Sequence, residues 1–196
     1  EMTKVGITGG IGSGKSIICE VFRKLGIPVF NADQQAKSIM HTDPKIIQEI
    51  KGFFGSSIYD DHGIKKAALA SIIFNNNDAL EKINSIVHPA VRESFLHWAC
   101  KRESHFPYVI EEAAILFESG GYKDLDVNIL VYATKELRIK RVMQRDQVDR
   151  AWVESRIRHQ MEDEEKLNLA DEVIFNDGSR MVIPQILDTH HKLTRN

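Results

Sequence analysis

Residues Gly9-Gly10-Ile11-Gly12-Ser13-Gly14-Lys15-Ser16 complete the phosphate-loop pattern G-x-x-x-x-G-K-S. Lys4-Val5-Gly6-Ile7-Thr8 precedes it, a short run suited to a buried strand. Ile17, Ile18, Val21, Phe22 and Leu25 follow at helical spacing. Strand, glycine loop and helix in that order are the context in which the pattern holds phosphate; a chance glycine-rich turn would lack both flanks. Gly9, Gly10, Gly12 and Gly14 are expected to take left-handed backbone angles. Consecutive N–H groups then converge on an anion above the positive end of the helix dipole. Lys15 is expected at the β- and γ-phosphates of a nucleotide, and the Ser16 hydroxyl on Mg²⁺.

Further strands recur outward from the loop. Ile27-Pro28-Val29-Phe30 follows Gly26, a helix stop, and Tyr108-Val109-Ile110 follows Pro107. Val127 to Tyr132 is the clearest strand, and Glu172-Val173-Ile174-Phe175 ends at the turn Asn176-Asp177-Gly178. With the first run these alternate with helices, which predicts an α/β P-loop NTPase fold: a five-stranded parallel sheet wound by helices on both faces. Ligands of such sheets bind beyond the carboxyl ends of the strands. The second and third strands are separated by more chain than one crossover needs. Asp43-Pro44 starts a helix there, and Phe53, Phe54 and Ile58 are expected to close a small core around Gly52 and Gly55. Asp60-Asp61-His62-Gly63 reads as a turn. Ala67 to Phe74 and Leu80 to Trp98 read as helical, broken near His88-Pro89. This stretch is expected to be a helical substrate-binding insert; a purely structural helical layer is the other reading. We expect a single domain: a core of about 1–33, 104–134 and 167–196, an insert of about 34–103 and a lid of about 135–166.

Composition narrows the function. The chain has 196 residues, 42% hydrophobic, with a net charge of −2, which argues against a general nucleic-acid binder and for a small-molecule partner. Cys19 and Cys100 are far apart and form no redox or metal motif; Cys19 reads as packing. No apolar run suggests a membrane span, no secretory leader is expected, and Glu1 ahead of Met2 is set aside from the fold argument. The expected setting is cytoplasmic, and the expected assembly a monomer or small homo-oligomer.

Phosphoryl transfer needs a phosphate cradle, a metal, positive charge on the moving group and an oriented nucleophile. Asp33 follows the second strand; it either orients an attacking hydroxyl and accepts its proton, or caps a helix starting near Gln34. Glu111 and Glu112 end the third strand. Alternation puts Glu112 on the loop side as metal support, and a one-residue shift would exchange the two. Arg138, Arg141 and Arg145 share a helix face in a basic stretch that Glu162-Asp163-Glu164-Glu165 then reverses. They form either a solvated ion-paired helix or a lid that clamps phosphates. Ala113 to Gly121 reads as a substrate-side loop. His88 is either structural or a binding residue; His190 and His191 receive no role.

Thr8 to Ser16, Ala32-Asp33, His88-Pro89, Leu116-Phe117-Glu118, Arg141-x-x-x-Arg145-Asp146, Ala170-Asp171 and Asn176-x-Gly178 together resemble the dephospho-coenzyme A kinase family. The loop alone is shared with many kinases; its Thr-Gly-Gly-Ile-Gly-Ser-Gly-Lys form with the downstream His-Pro and Phe-Glu is narrower. The resemblance implies that ATP, with Mg²⁺, phosphorylates the ribose 3′-hydroxyl of dephospho-coenzyme A in the last step of coenzyme A synthesis. It makes Asp33 the catalytic base, Lys15 the phosphate lysine and Arg141 the lid arginine at the transferring group. It assigns Gly10, Gly12, Ser13, Gly14, Lys15, Ser16, Ile17, Arg145 and Asn176 to ATP. Thr8, Asp33, Lys37, Lys66, His88 and Glu118 fall to the acceptor, and Ser16 and Glu112 to the metal. Departures are Ile17 for a threonine, Lys37 and Lys66 for arginines, Arg138 for a glutamine, Ala114 for a proline and Glu112 for an aspartate. Lysine keeps charge but loses the bidentate fork.

Another small P-loop kinase, acting on a nucleoside monophosphate, shikimate or gluconate, would differ only in acceptor. A GTP-binding switch is disfavoured. Asp60 to Gly63 matches D-x-x-G but follows no buried strand, and the chain has no Asn-Lys-x-Asp.

Overall fold

The computed structural model describes residues 2–74 and 76–195; Glu1, Asn75 and Asn196 lie outside them. In chain order the elements are β1 (Thr3–Thr8), α1 (Lys15–Lys24), β2 (Val29–Asn31), α2 (Ala32–Thr42), α3 (Pro44–Phe54), β3 (Tyr59–Asp60), β4 (Gly63–Ile64), α4 (Lys66–Phe74) and α5 (Asn77–Cys100). Then follow β5 (Tyr108–Glu112), β6 (Val127–Tyr132), α6 (Lys135–Asp146), α7 (Arg150–Ile157), α8 (Asp163–Leu169), β7 (Glu172–Phe175) and α9 (Val182–Thr194). They fall into two compact units, Glu1–Asn31 with Trp98–Asn196, and Ala32–His97. Among the described residues no helix is long and apolar enough to cross a membrane.

The first unit is built on a five-stranded parallel sheet in the order β2-β5-β1-β6-β7. Its strands are apolar runs because helices cover both faces. Val5, Ile7, Tyr108, Ile110, Ile129, Val131 and Ile174 form one buried cluster with Ile18, Cys19 and Phe22 of α1 and Ile186 and Leu193 of α9. Burying a side chain such as Phe22 contributes about 1.5–3 kcal/mol. The register sets Gly6 beside Glu111, Ile7 beside Glu112, and Asn31 beside Glu112, so β1, β5 and β2 end together. The loop leaves the sheet at that edge. α1 stops at Leu25 and left-handed Gly26, where the N–H of Gly26 donates to Arg23 O and that of Ile27 to Phe22 O.

In the second unit Asp43 caps α3, its Oδ1 accepting from Lys45 N at 2.9 Å, with Pro44 in the first turn. β3 and β4 pair antiparallel across the Asp60 to Gly63 turn, where Asp60 Oδ1 accepts from His62 N at 2.8 Å. The D-x-x-G match is therefore a hairpin.

Several local expectations are corrected. α5 runs through Pro89 without a break. The ring removes one helical hydrogen bond, but Ile83, Ile86 and Val87 before it and Val91 and Phe95 after it are all buried, and that shared face keeps the helix continuous. α2 begins at Ala32, so Asp33 lies inside its first turn rather than capping a helix from Gln34. Ile17 is 71% exposed, because a rotation of about 100° per residue takes it off the face shared by Ile18 and Phe22. Phe53 is exposed and Phe54 half-buried; they stack edge to face on each other, and only Ile58 of that expected core is buried. β2 spans Val29–Asn31, later than expected, because Ile27 and Pro28 lead out of α1.

Candidate active site

Residues 9–14 join the end of β1 to α1. Only Gly12 (φ 81°) and Gly14 (φ 90°) take left-handed angles. Gly9 and Gly10 do not; they are glycine for lack of room. A Cβ on Gly9 would lie 2.7 Å from Val131 O, and one on Gly10 would run into the Arg138 guanidinium. Ser13 N donates to Gly10 O at 2.9 Å, and its side chain is buried.

One side of the loop meets β5. Glu112 is buried, and its Oε1 accepts from Lys15 Nζ at 2.9 Å and from Ser16 Oγ at 2.7 Å. Its Oε2 accepts from Asn31 Nδ2 at 3.3 Å and from Arg23 Nη2 at 3.5 Å. Burial works to raise the carboxyl pKa, but the Lys15 and Ser16 bonds and the Arg23 charge outweigh it and hold it below its ordinary value. Glu112, not Glu111, thus faces the loop. Cys19 lies beneath, fully buried; desolvation and the Glu112 charge push its thiol up to about 12. Sequence reasoning missed Asn31 and Arg23. Asn31 was detectable as the polar residue that follows the Ile27-Pro28-Val29-Phe30 run; nothing in the sequence distinguishes Arg23 from any other basic residue near a helix end.

The other side meets α6 and the end of β7. Arg141 donates through Nη1 to Gly12 O at 3.4 Å and Ser13 O at 3.5 Å, and through Nη2 to Asn176 O at 2.8 Å. Asn176 Nδ2 donates to Ser13 O at 2.8 Å and abuts Gly14. Arg141 and Asn176 are therefore brought together on the loop's carbonyls. The arginines predicted to share a face with Arg141 part from it. Arg138 is buried under Gly10, donating to Ala133 O and, at 2.6 Å, to Asp163 Oδ2. Arg145 is exposed and paired with Asp146 at 2.7 Å. Spacing places residues on a face; it does not say which ones find buried partners.

Thr8 is fully buried, its Oγ1 3.5 Å from Ala114 O. Glu118 turns to α8: its Oε1 accepts from Met161 N at 2.9 Å and lies 3.1 Å from buried Lys166 Nζ. Ile11 N donates to Gln160 Oε1 at 2.9 Å, a contact for which the sequence carries no signal. The remaining candidates lie in the second unit. Asp33 is half-buried, Lys37 and Lys66 are exposed on α2 and at the start of α4, and His88 is half-buried on α5, with burial lowering its pKa.

Among the described residues no three His, Cys, Asp or Glu side chains gather as a metal cage. The Ser16 hydroxyl and Glu112 carboxylate converge instead, a hard oxygen pair of the kind that holds Mg²⁺ together with substrate phosphates.

The dephospho-CoA kinase family model matches residues 3–181. A dephospho-CoA kinase from Bacteroides fragilis (strain YCH46) is 40% identical over 185 residues, covering 94% of this chain and 90% of its own. A crystal structure from Thermus thermophilus superposes with a TM-score of 0.82 at 32% identity, over 98% of this chain and 95% of its own. Dephospho-CoA kinase from Campylobacter jejuni does so with a TM-score of 0.73 at 27% identity, over 100% and 98%.

Proposed function

The chain belongs to the dephospho-CoA kinase family, and from that premise we propose how its residues transfer phosphate from ATP to the ribose 3′-hydroxyl of dephospho-coenzyme A. The observation that carries the reading is the meeting of Lys15 Nζ and Ser16 Oγ on one oxygen of Glu112, at the mouth of a complete phosphate loop. The remaining loop N–H groups, those of Ile11 and Ser13 being already engaged, receive the β- and γ-phosphates, and Lys15 leaves Glu112 for their oxygens. Ser16 and Glu112 would hold Mg²⁺, which when bound would offset charge on the phosphates. Arg141 keeps the loop carbonyls turned away from the anion and supplies positive charge beside it. Thr8, Lys37, Lys66, His88 and Glu118 remain proposed for the acceptor side, and Arg145 and Asn176 for ATP.

Asp33 follows by two residues the end of β2, where Asn31 registers with Glu112. It orients the 3′-hydroxyl and takes its proton as the oxygen bonds to the γ-phosphorus. The bond from that phosphorus to the β–γ bridging oxygen breaks, and ADP leaves. We place the reaction in the cytoplasm, in keeping with two free cysteines.

The test is a coupled assay with a panel of acceptors. Dephospho-coenzyme A should turn over, and shikimate, gluconate and nucleoside monophosphates should not; the reverse pattern overturns the assignment. Asp33→Asn should keep ATP affinity and lower turnover by about 10² or more. Undiminished turnover would remove its role as base.

A further inference from the structure

We propose that Gln160 is a positioning residue that ties the α7–α8 segment to the apex of the phosphate loop and thereby sets the loop's hold on ATP; the ATP part rests on the reading above. Ile11 is the loop's one large residue, and both its parts dock outward. Its side chain packs on the buried cluster of Ile139, Val142 and Val153. Its N–H leaves the loop and donates to Gln160 Oε1 at 2.9 Å.

Gln160 can hold that amide because the chain around it is fixed. Its own N–H donates to Ile157 O at 2.9 Å, closing the end of α7. The next residue, Met161, donates its N–H to Glu118 Oε1 at 2.9 Å. The same carboxylate oxygen faces Lys166 Nζ, 3.1 Å away, with Lys166 only 1% exposed. Asp163 takes the Arg138 guanidinium from beneath Gly10. Glu118, Lys166 and Arg138 are thus anchors, and the Gln160 amide is the link they hold against the loop. Removing that amide leaves the Ile11 side-chain packing intact, so the loop loses its tether without losing its core.

The experiment uses the full chain and reads hydrogen exchange at the Ile11 amide, ATP affinity by calorimetry without acceptor, and steady-state kinetics. Gln160→Ala should speed Ile11 exchange about 10-fold and weaken ATP binding about 5-fold, as loss of one hydrogen bond implies. It should leave kcat and the acceptor KM within about twofold. Gln160→Glu retains an acceptor and should restore Ile11 protection. A Glu118→Gln, Lys166→Met pair, which removes the buried ammonium and its partner charge together, should add nothing to the ATP defect of Gln160→Ala, because both act through one link. Unchanged Ile11 exchange in Gln160→Ala, or a fall in kcat with unaltered ATP affinity, overturns the proposal. Weakened ATP binding in a chain that ignores dephospho-coenzyme A would sustain this inference and sink the proposed acceptor instead.

Discussion

Toward β5 the phosphate loop presents side chains: Lys15 and Ser16 rest on the Glu112 carboxylate. Toward α6 it presents backbone: Arg141 and Asn176 hold its carbonyls, and Gln160 holds an N–H. An arriving phosphate competes for the first set, since it offers an ammonium and a hydroxyl the same anionic oxygens that Glu112 does. In the second set the loop itself contributes carbonyls, which an anion cannot bind, and an Ile11 N–H already engaged by Gln160. The difference separates groups that change partners during the reaction from groups that keep the loop in shape while they do so.

The comparison breaks first at Lys15. Lys15→Ala should lower turnover by about 10³ and weaken ATP binding; normal kinetics and affinity would mean the exchangeable side is not where phosphate goes. Glu112→Gln should reduce turnover by about 10² and also change acid stability. The folded Glu112 carboxyl ionises below its ordinary value of 4.5. Its contribution to stability is therefore present above that value and lost as pH falls through the lower folded one. Thermal melts from neutral to acid pH should show a flatter acid limb in the variant, and identical limbs would contradict the buried pairing. On the backbone side, Arg141→Lys keeps the charge and loses the fork that spans Gly12, Ser13 and Asn176. A fall of about 10-fold in kcat/KM is expected; a fall as deep as that of Lys15→Ala would erase the distinction between the sides. The smallest effect concerns the floor of the β5 side. Cys19 is fully buried with its thiol near 12, whereas Cys100 is exposed. Iodoacetamide on the folded chain should label Cys100 alone by mass spectrometry, and a label on Cys19 would show that the floor opens.

The sequence carried the frame of this arrangement because the frame is local. The apolar runs of β1, β5, β6 and β7, the Gly26 stop and the Asp43 cap each depend on neighbours within a few residues. The loop was legible for the same reason; alternation along β5 favoured Glu112 over Glu111, and the register with β1 decided it. What was not legible depended on distant partners. Arg138, Arg141 and Arg145 look alike in sequence, and their fates were decided by Asp163, Asn176 and Asp146. Pro89 reads as a break until burial on both sides of it is known. Gly9 and Gly10 look like turn residues, yet they answer to Val131 and Arg138. Gln160 gave no sign at all, since a glutamine in a polar stretch is unremarkable until its acceptor oxygen is seen on Ile11.

The strand order has one more consequence, for synthesis. β1 lies between β5 and β6, with Thr3 paired to Tyr108 and Val5 to Val127. On the ribosome the nucleotide-binding segment emerges long before either neighbour exists, and it has no hydrogen-bonded edge to join until both have followed. A nascent chain stalled ahead of Tyr108 carries every residue of the G-x-x-x-x-G-K-S signature and none of the ladder that would fix it, so capture on immobilised ATP should begin only after β6 has cleared the exit tunnel.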